Sequence, residues 1–294
     1  MSAPPSTAFR GLWIPLVTPF RDGAIDHDAL AALTRSLAHR GIAGFVVCGS
    51  TGEAAALDEA EQLSCLRTVA AHCGPLPLVM GLSDYHLGQA CARVRQWSDL
   101  ARADIPALSG LLVSAPHYVR PSQEGVRRWF ETLADASELP LMVYDIPYRT
   151  GVTLSLQTLL ALAAHPNIRA VKDCGGELGK TLALIDDGRL SILAGEDLQI
   201  FSLMAQGAAG AIAASAHLHT GRYVQMMQAL ADGELGRARA LWAQLAPLIE
   251  ALFAEPNPAP LKACLAREGA MREELRAPMA PISAGLKERL MPML

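Results

Sequence analysis

Eight short apolar runs recur along this chain at intervals of roughly thirty residues, and that recurrence restricts the fold more than any other feature. They lie at Leu12–Val17, Gly44–Cys48, Leu76–Gly81, Gly110–Ser114, Leu141–Tyr144, Ile168–Lys172, Ser191–Ala194 and Ala209–Ala213. Each reads as a mostly apolar run rather than an alternation, as strands covered on both faces do. Between them, Asp26–His39, Asp58–His72, Gly88–Arg102, Glu124–Ala136, Leu156–Ala164 and Lys180–Asp187 carry apolar residues at helical spacing. Several open on a cap signal such as Asp26-His27-Asp28 or Pro121-Ser122. Alternating strands and helices imply a parallel sheet. Eight units in about 220 residues fit a closed (β/α)8 TIM barrel, typically ~250 residues long. An open doubly wound sheet is the competing architecture, and periodicity does not separate the two.

Beyond residue 222 the strand signal stops. Tyr223–Leu230, Leu235–Phe253, Ala259–Arg267 and Leu286–Met291 read as helices, with a proline-rich break at Glu255-Pro256-Asn257-Pro258-Ala259-Pro260. The expected organisation is a loose tail over 1–9, a barrel over 10–222 and a helical C-terminal domain over 223–294.

Composition narrows the function. The chain is 51 % apolar and only 18 % charged, with mean hydropathy +0.23, which suits a large core and excludes a disordered chain. A net charge of −4 provides no field for nucleic acid or an anionic membrane. Unbroken apolar stretches such as Leu159–Ala164 fall far short of the ~20 residues of a membrane span. The opening MSAPPSTAFRG has neither a basic n-region nor an apolar h-region. The six cysteines are scattered singly, with no C-x-x-C pair, and no H-E-x-x-H or tight His/Cys cluster suggests a metal. These features together point to a cytoplasmic protein without a built-in metal site.

In parallel α/β folds, ligands bind at the carboxyl ends of the strands. The chain has only four lysines, Lys172, Lys180, Lys262 and Lys287. Three fall in helical segments, where a solvated lysine is unremarkable. Lys172 closes Ile168-Arg169-Ala170-Val171-Lys172, at the catalytic end of a buried strand. Burial lowers a lysine pKa and makes the amine a nucleophile at neutral pH. The alternative is an ion pair with Asp173 or Glu196. The second strand ends in Gly49-Ser50-Thr51-Gly52-Glu53, whose hydroxyls and amides suit an anion, or simply a capped turn. The fifth leads into Tyr144-Asp145-Ile146-Pro147-Tyr148-Arg149: Tyr144 suits a proton relay and Arg149 a carboxylate clamp, against a buried tyrosine and a surface arginine. Tyr118, after the fourth strand, has the same two readings as Tyr144. Gly175–Thr181 imitates a phosphate-binding loop, but Cys174 stands where its first glycine belongs, so the match fails.

Taken in order, GSTGE (49–53), PHYVRPSQEG (116–125), YDIPYRTG (144–151), VKD (171–173), LAGED (193–197) and EPNPAPLK (255–262) resemble the dihydrodipicolinate synthase / N-acetylneuraminate lyase family of class I aldolases, from about residue 10 to residue 290. The resemblance implies a TIM barrel with a helical C-terminal domain, self-associated as a homodimer or a homotetramer. It implies that Lys172 forms an imine with pyruvate, that Tyr144 relays protons, and that Ser50 links Tyr144 to Tyr118, which reaches in from a neighbouring subunit. Thr51 then binds the pyruvate carboxylate, Arg149 the carboxylate of the aldehyde, and Gly195 and Ile212 line the pocket. The implied reaction condenses pyruvate with aspartate 4-semialdehyde to 4-hydroxy-tetrahydrodipicolinate in lysine and diaminopimelate biosynthesis. Asp145 stands where the synthases carry asparagine, and Asp173-Cys174-Gly175 where they carry Glu-Ala-Thr or similar. Both are expected to border the pocket, which keeps a sugar-acid or hydroxy-oxo-acid aldolase open. A non-catalytic keto-acid sensor is the alternative of another class; the intact Lys172, Tyr144, Ser50 and Tyr118 set argues against it. Ala54-Ala55-Ala56 stands where lysine-regulated synthases place histidines or similar polar groups, so inhibition by lysine is expected to be weak or absent.

Overall fold

The computed structural model describes residues 9–294. All eight apolar runs are strands: β1 (Gly11–Pro15), β2 (Gly44–Val47), β3 (Leu78–Leu82), β4 (Leu108–Ser114), β5 (Leu141–Asp145), β6 (Ile168–Asp173), β7 (Ser191–Ala194) and β8 (Gly210–Ile212). Every neighbouring pair is parallel, and β8 pairs with β1, closing the barrel and removing the open-sheet alternative. A small antiparallel pair, Phe20–Arg21 with Ala24–Ile25, is inserted after β1.

The helices follow their strands: α1 (His27–Ala38), α2 (Glu59–His72), α3 (Leu87–Ala103), α4 (Gln123–Asp135), α5 (Leu156–Leu162), α6 (Leu178–Asp187) and α7 (Ile200–Ala205). α2 shows the local cause well. Asp58 accepts from the amide of Glu61 while Glu61 accepts from the amide of Asp58, a reciprocal cap that starts the helix there. The short α7 escaped the sequence reading because it is barely two turns long. α8 (Thr220–Ala231) packs against β1 and α7 as the eighth helix of the ring. The expected boundary at 222/223 therefore cuts through a barrel helix, and the extension begins with α9 (Leu235–Leu252), followed by α10 (Ala259–Arg267) and α11 (Ala284–Leu290).

Strand pleating divides the core in two. Val46, Val79, Leu112, Met142, Tyr144, Ala170, Leu193 and Ile212 form one cluster inside the barrel. Their strand neighbours, such as Val47, Met80, Leu111, Val113, Leu141, Val143 and Val171, join the larger core beneath the helices. Phe9 and Trp13 belong to the inner cluster and fill the barrel on the side of the strand N-termini. Phe9 was expected in the loose tail but is only 1 % exposed; the rest of that tail, residues 1–8, lies outside the described residues. Gly110 makes room for Phe9, because a Cβ there would stand 2.8 Å from its ring. Among the described residues no helix is long and apolar enough to cross a membrane.

Candidate active site

The register β5–β6 sets Tyr144 beside Lys172 and Asp145 beside Asp173. Because successive side chains point to opposite faces, the first pair enters the barrel and the second points to the helices. Lys172 is 5 % exposed, and its Nζ lies 3.4 Å from the Tyr144 hydroxyl and 4.4 Å from the centre of that ring. Among the described residues it has no carboxylate within 4.0 Å, so the ion-pair alternative fails. Asp173 is occupied elsewhere, accepting from the amide of Gly175 and the hydroxyl of Thr181. Glu196 accepts from the Tyr148 hydroxyl at 3.2 Å.

A cavity of about 560 Å³ opens above Lys172. Seven of the eight expected residues line it: Lys172, Tyr144, Ser50, Thr51, Arg149, Gly195 and Ile212. Burial pushes the Tyr144 phenol well up, while the Ser50 hydroxyl beside it pulls the other way. Its proton therefore stays on at neutral pH, ready to be handed over and recovered. Gly195 contributes space: a Cβ there would overlap Cys174 Sγ and stand 2.9 Å from Lys172 Cγ. Burial likewise pushes the Cys174 thiol well up, Lys172 opposing and Glu196 adding to the rise. The eighth residue, Tyr118, does not reach the cavity of its own chain. It is 86 % exposed on left-handed backbone (φ 67°), beside the exposed Val119 and Tyr85.

Several cavity residues carried no role in the sequence reading. Tyr148, Glu196 and Asp197 belong to motifs quoted for other members. Asp197 is fully buried, accepts from the amide and hydroxyl of Ser215, and is raised to about 6 by burial, with Ser215 and Lys172 opposing. Ser215 in turn meets the Tyr223 hydroxyl at 2.7 Å. Phe253 to Asn257 roofs the cavity between α9 and α10, so the break read at Glu255–Pro260 supplies part of that roof, and Asn257 donates to the Thr51 hydroxyl at 3.0 Å. The proline-rich composition was a legible signal of rigidity, but not of position.

Two of the lysines expected in solvent are buried. Lys262 is 0 % exposed; it donates to Glu53 at 2.6 Å and to the Thr18 carbonyl at 2.9 Å, tying the GSTGE turn to the C-terminal helices. Lys180 donates to Asp145 at 2.8 Å and to the Leu154 carbonyl at 3.0 Å. Lys180 thus finds a carboxylate on a barrel strand and Lys262 one in the turn after β2, partners that only the tertiary fold reveals. Lys287 does remain half-exposed, with Glu273 as partner. The Asp145 and Lys180 pair corrects a second expectation: Asp145 and Asp173 face away from the cavity rather than bordering it. In the imitation phosphate loop, Lys180 and Thr181 are thus committed to Asp145 and Asp173.

All six cysteines are buried free thiols. Among the described residues no three His, Cys, Asp or Glu side chains form a group suited to a metal ion. A second cavity lies beyond Ser50, Tyr144 and Arg149, with Ala54, Ala55, Tyr85 and His117 on its walls.

Comparison with known proteins agrees with this geometry. The model of the dihydrodipicolinate synthetase family matches residues 8–294. A 4-hydroxy-tetrahydrodipicolinate synthase 2 of Clostridium acetobutylicum is 36 % identical over 285 residues, covering 96 % of this chain and 98 % of the relative. The solved 4-hydroxy-tetrahydrodipicolinate synthase of Methylacidiphilum fumariolicum SolV superposes with TM-score 0.92 at 30 % identity, covering 97 % of this chain and 94 % of that one. The dihydrodipicolinate synthase of Acinetobacter baumannii, solved in complex with pyruvate, superposes with TM-score 0.92 at 29 % identity, covering 97 % and 98 %. The chain belongs to the dihydrodipicolinate synthetase family.

Proposed function

For this member of the dihydrodipicolinate synthetase family we propose a Schiff-base lyase that condenses pyruvate with aspartate 4-semialdehyde to 4-hydroxy-tetrahydrodipicolinate. The observation that carries it is Lys172: a buried amine with a phenol in reach and no carboxylate touching it, on the floor of a cavity. An ammonium in such a place is costly without a paired charge, whereas an amine that becomes an imine turns the position to use. In this reading the Lys172 nitrogen attacks the ketone carbon, and water leaves as the imine forms. The iminium withdraws electrons, a methyl proton is lost, and the enamine attacks the aldehyde carbon. The imine carbon is then released by water or by the substrate's own amine. Tyr144 ferries protons at the imine. Thr51, fixed by Asn257, holds the pyruvate carboxylate, and Arg149 holds that of the aldehyde. The covalent imine is the electron sink, so the proposal needs no cofactor.

We infer a dimer as the smallest active unit, on its own or paired into the tetramer the resemblance implies, with Tyr118 of a second copy completing the Ser50 and Tyr144 relay. Support comes from the exposure of Tyr118 and of Val119 and Tyr85 beside it. One solved structure of similar fold is a monomeric dihydrodipicolinate synthase variant, so the mass of this chain in solution tests the inference directly. A cytoplasmic location follows from the same biosynthetic reading. Lysine inhibition is proposed to be weak, because Ala54 and Ala55 present no polar group to the second cavity; half-inhibition below about a millimolar, roughly −4 kcal/mol of binding, would contradict it.

Of the departures that keep a sugar-acid substrate open, Asp145 and Asp173 turn outward, away from the reacting groups, while Cys174 stays in the inner cluster beside Gly195. The test is reductive trapping. Borohydride with pyruvate should add one pyruvate-derived group to Lys172 and none to Lys172→Ala. Aspartate 4-semialdehyde should then outpace sugar aldehydes in consuming pyruvate. No adduct on Lys172 would end the imine mechanism, and a preference for sugar aldehydes would reassign the substrate.

A further inference from the structure

The cavity holds two opposite charges that leave each other unpaired. Arg149 has no carboxylate within 4.0 Å among the described residues. Three carboxylates line the same cavity, Glu196, Asp197 and Glu255. Asp197 is 4 % exposed and turned to the amide and hydroxyl of Ser215. Glu255 is held by the amide and hydroxyl of Ser283. Glu196 differs: it is partly exposed, one oxygen accepts from the Tyr148 hydroxyl at 3.2 Å, its other near neighbour is the Cys174 thiol, and no cationic side chain among the described residues lies within 4.0 Å of it. The Arg149 guanidinium lies 5.8 Å from the centre of the same Tyr148 ring. A guanidinium and a carboxylate thus flank one aromatic side chain at the cavity mouth. A dicarboxylate would balance only the guanidinium and a neutral sugar neither charge; a zwitterion balances both.

We propose that Glu196 receives the ammonium of the aldehyde substrate, so that Glu196 and Arg149 together select an aldehyde bearing an α-amino acid end over the same aldehyde without its amine. The inference rests on the aldolase reading above and specifies what that site recognises. A hydrogen bond between an ammonium and a carboxylate in a partly enclosed site is worth roughly ten- to a hundredfold in affinity.

The experiment compares pyruvate consumption with aspartate 4-semialdehyde and with succinic semialdehyde, which lacks only the amine, in the wild type, Glu196→Gln and Glu196→Asp. The wild type should favour the amino aldehyde in kcat/KM by ten- to a hundredfold. Glu196→Gln should cut that ratio at least tenfold, through the amino aldehyde alone, and Glu196→Asp should restore most of it. An unchanged ratio in Glu196→Gln overturns the ammonium assignment while leaving the aldolase reading intact. Equal use of both aldehydes by the wild type does the same without any variant, which covers the case of a variant that fails to fold. A wild type that traps no pyruvate on Lys172 overturns the aldolase reading, and the assignment falls with it.

Discussion

Replacing Lys262 with methionine should cost the protein about 3–5 kcal/mol, the usual penalty for removing one partner of a buried ion pair. The pair is enclosed: side-chain exposure is 0 % for Lys262 and 2 % for Glu53. Burial draws the Lys262 pKa down and Glu53 opposes it, so each charge depends on the other. In Lys262→Met, Glu53 keeps only the Arg276 amide at 3.1 Å, and the Thr18 carbonyl loses a donor at 2.9 Å. Glu53→Met strands the ammonium and should cost a similar amount. The double variant removes both charges and leaves two backbone groups unpaired, at about 1–3 kcal/mol each. Its cost should therefore fall short of the sum of the singles by at least about 2 kcal/mol. Urea unfolding followed by circular dichroism, on all four proteins at one concentration, measures this coupling. Single variants that cost less than about 1 kcal/mol, or costs that simply add, would refute the account of how the extension is fastened to the barrel.

Tyr144→Phe should lower kcat by roughly a hundred- to ten-thousandfold, the usual scale of a lost acid–base group, while trapping of pyruvate on Lys172 persists at long incubation; wild-type turnover would remove Tyr144 from the mechanism. Two buried groups should give opposite pH slopes. Asp197 is raised from 3.8 to about 6, so the folded state keeps a proton that the unfolded state releases, and its contribution to stability declines as pH rises through that window. His217 is lowered from 6.5 to about 4 by burial; its contribution is lost as pH falls below 6.5. Relative to wild type, Asp197→Asn should therefore gain stability as pH rises from 4 to 6, and His217→Gln should lose it between 4 and 6.5, each by about 3 kcal/mol. Parallel unfolding curves across pH would contradict both. Gly195→Ala should destabilise by about 1–3 kcal/mol through overpacking and depress activity by displacing Lys172; Cys174→Ala in the same chain should recover part of each, and full activity in Gly195→Ala would show that the contact yields freely.

Much of the site was legible because a parallel barrel gathers the carboxyl ends of its strands, whatever their separation in sequence. Reading what closes or follows each apolar run was enough to single out Lys172, Tyr144, Ser50 and Thr51, which share one cavity, whereas Gly195 and Ile212 came from the family resemblance. The boundary of the barrel was less legible, since α8 carries the same amphipathic pattern as the helices that follow it and only its packing on β1 makes it part of the ring. The roof was illegible for a different reason. Asn257 meets Thr51 across 206 residues of chain, and no local pattern encodes that approach.

Taken alone, the residue order determined the alternation of strands and helices, the parallel sheet and the lysine at a strand end, because these depend on periodicities a few residues long. Tertiary structure decided which charges are dry. Lys172, Lys180 and Lys262 look alike as letters, yet the fold brings a strand carboxylate to Lys180, a turn carboxylate to Lys262 and none into contact with Lys172. Pleating explains the division. One-residue steps along β5 and β6 send Asp145 and Asp173 outward to the helices and Tyr144 and Lys172 inward, so the outer face takes the Asp145–Lys180 pair while the inner face is left with a lone amine and a phenol.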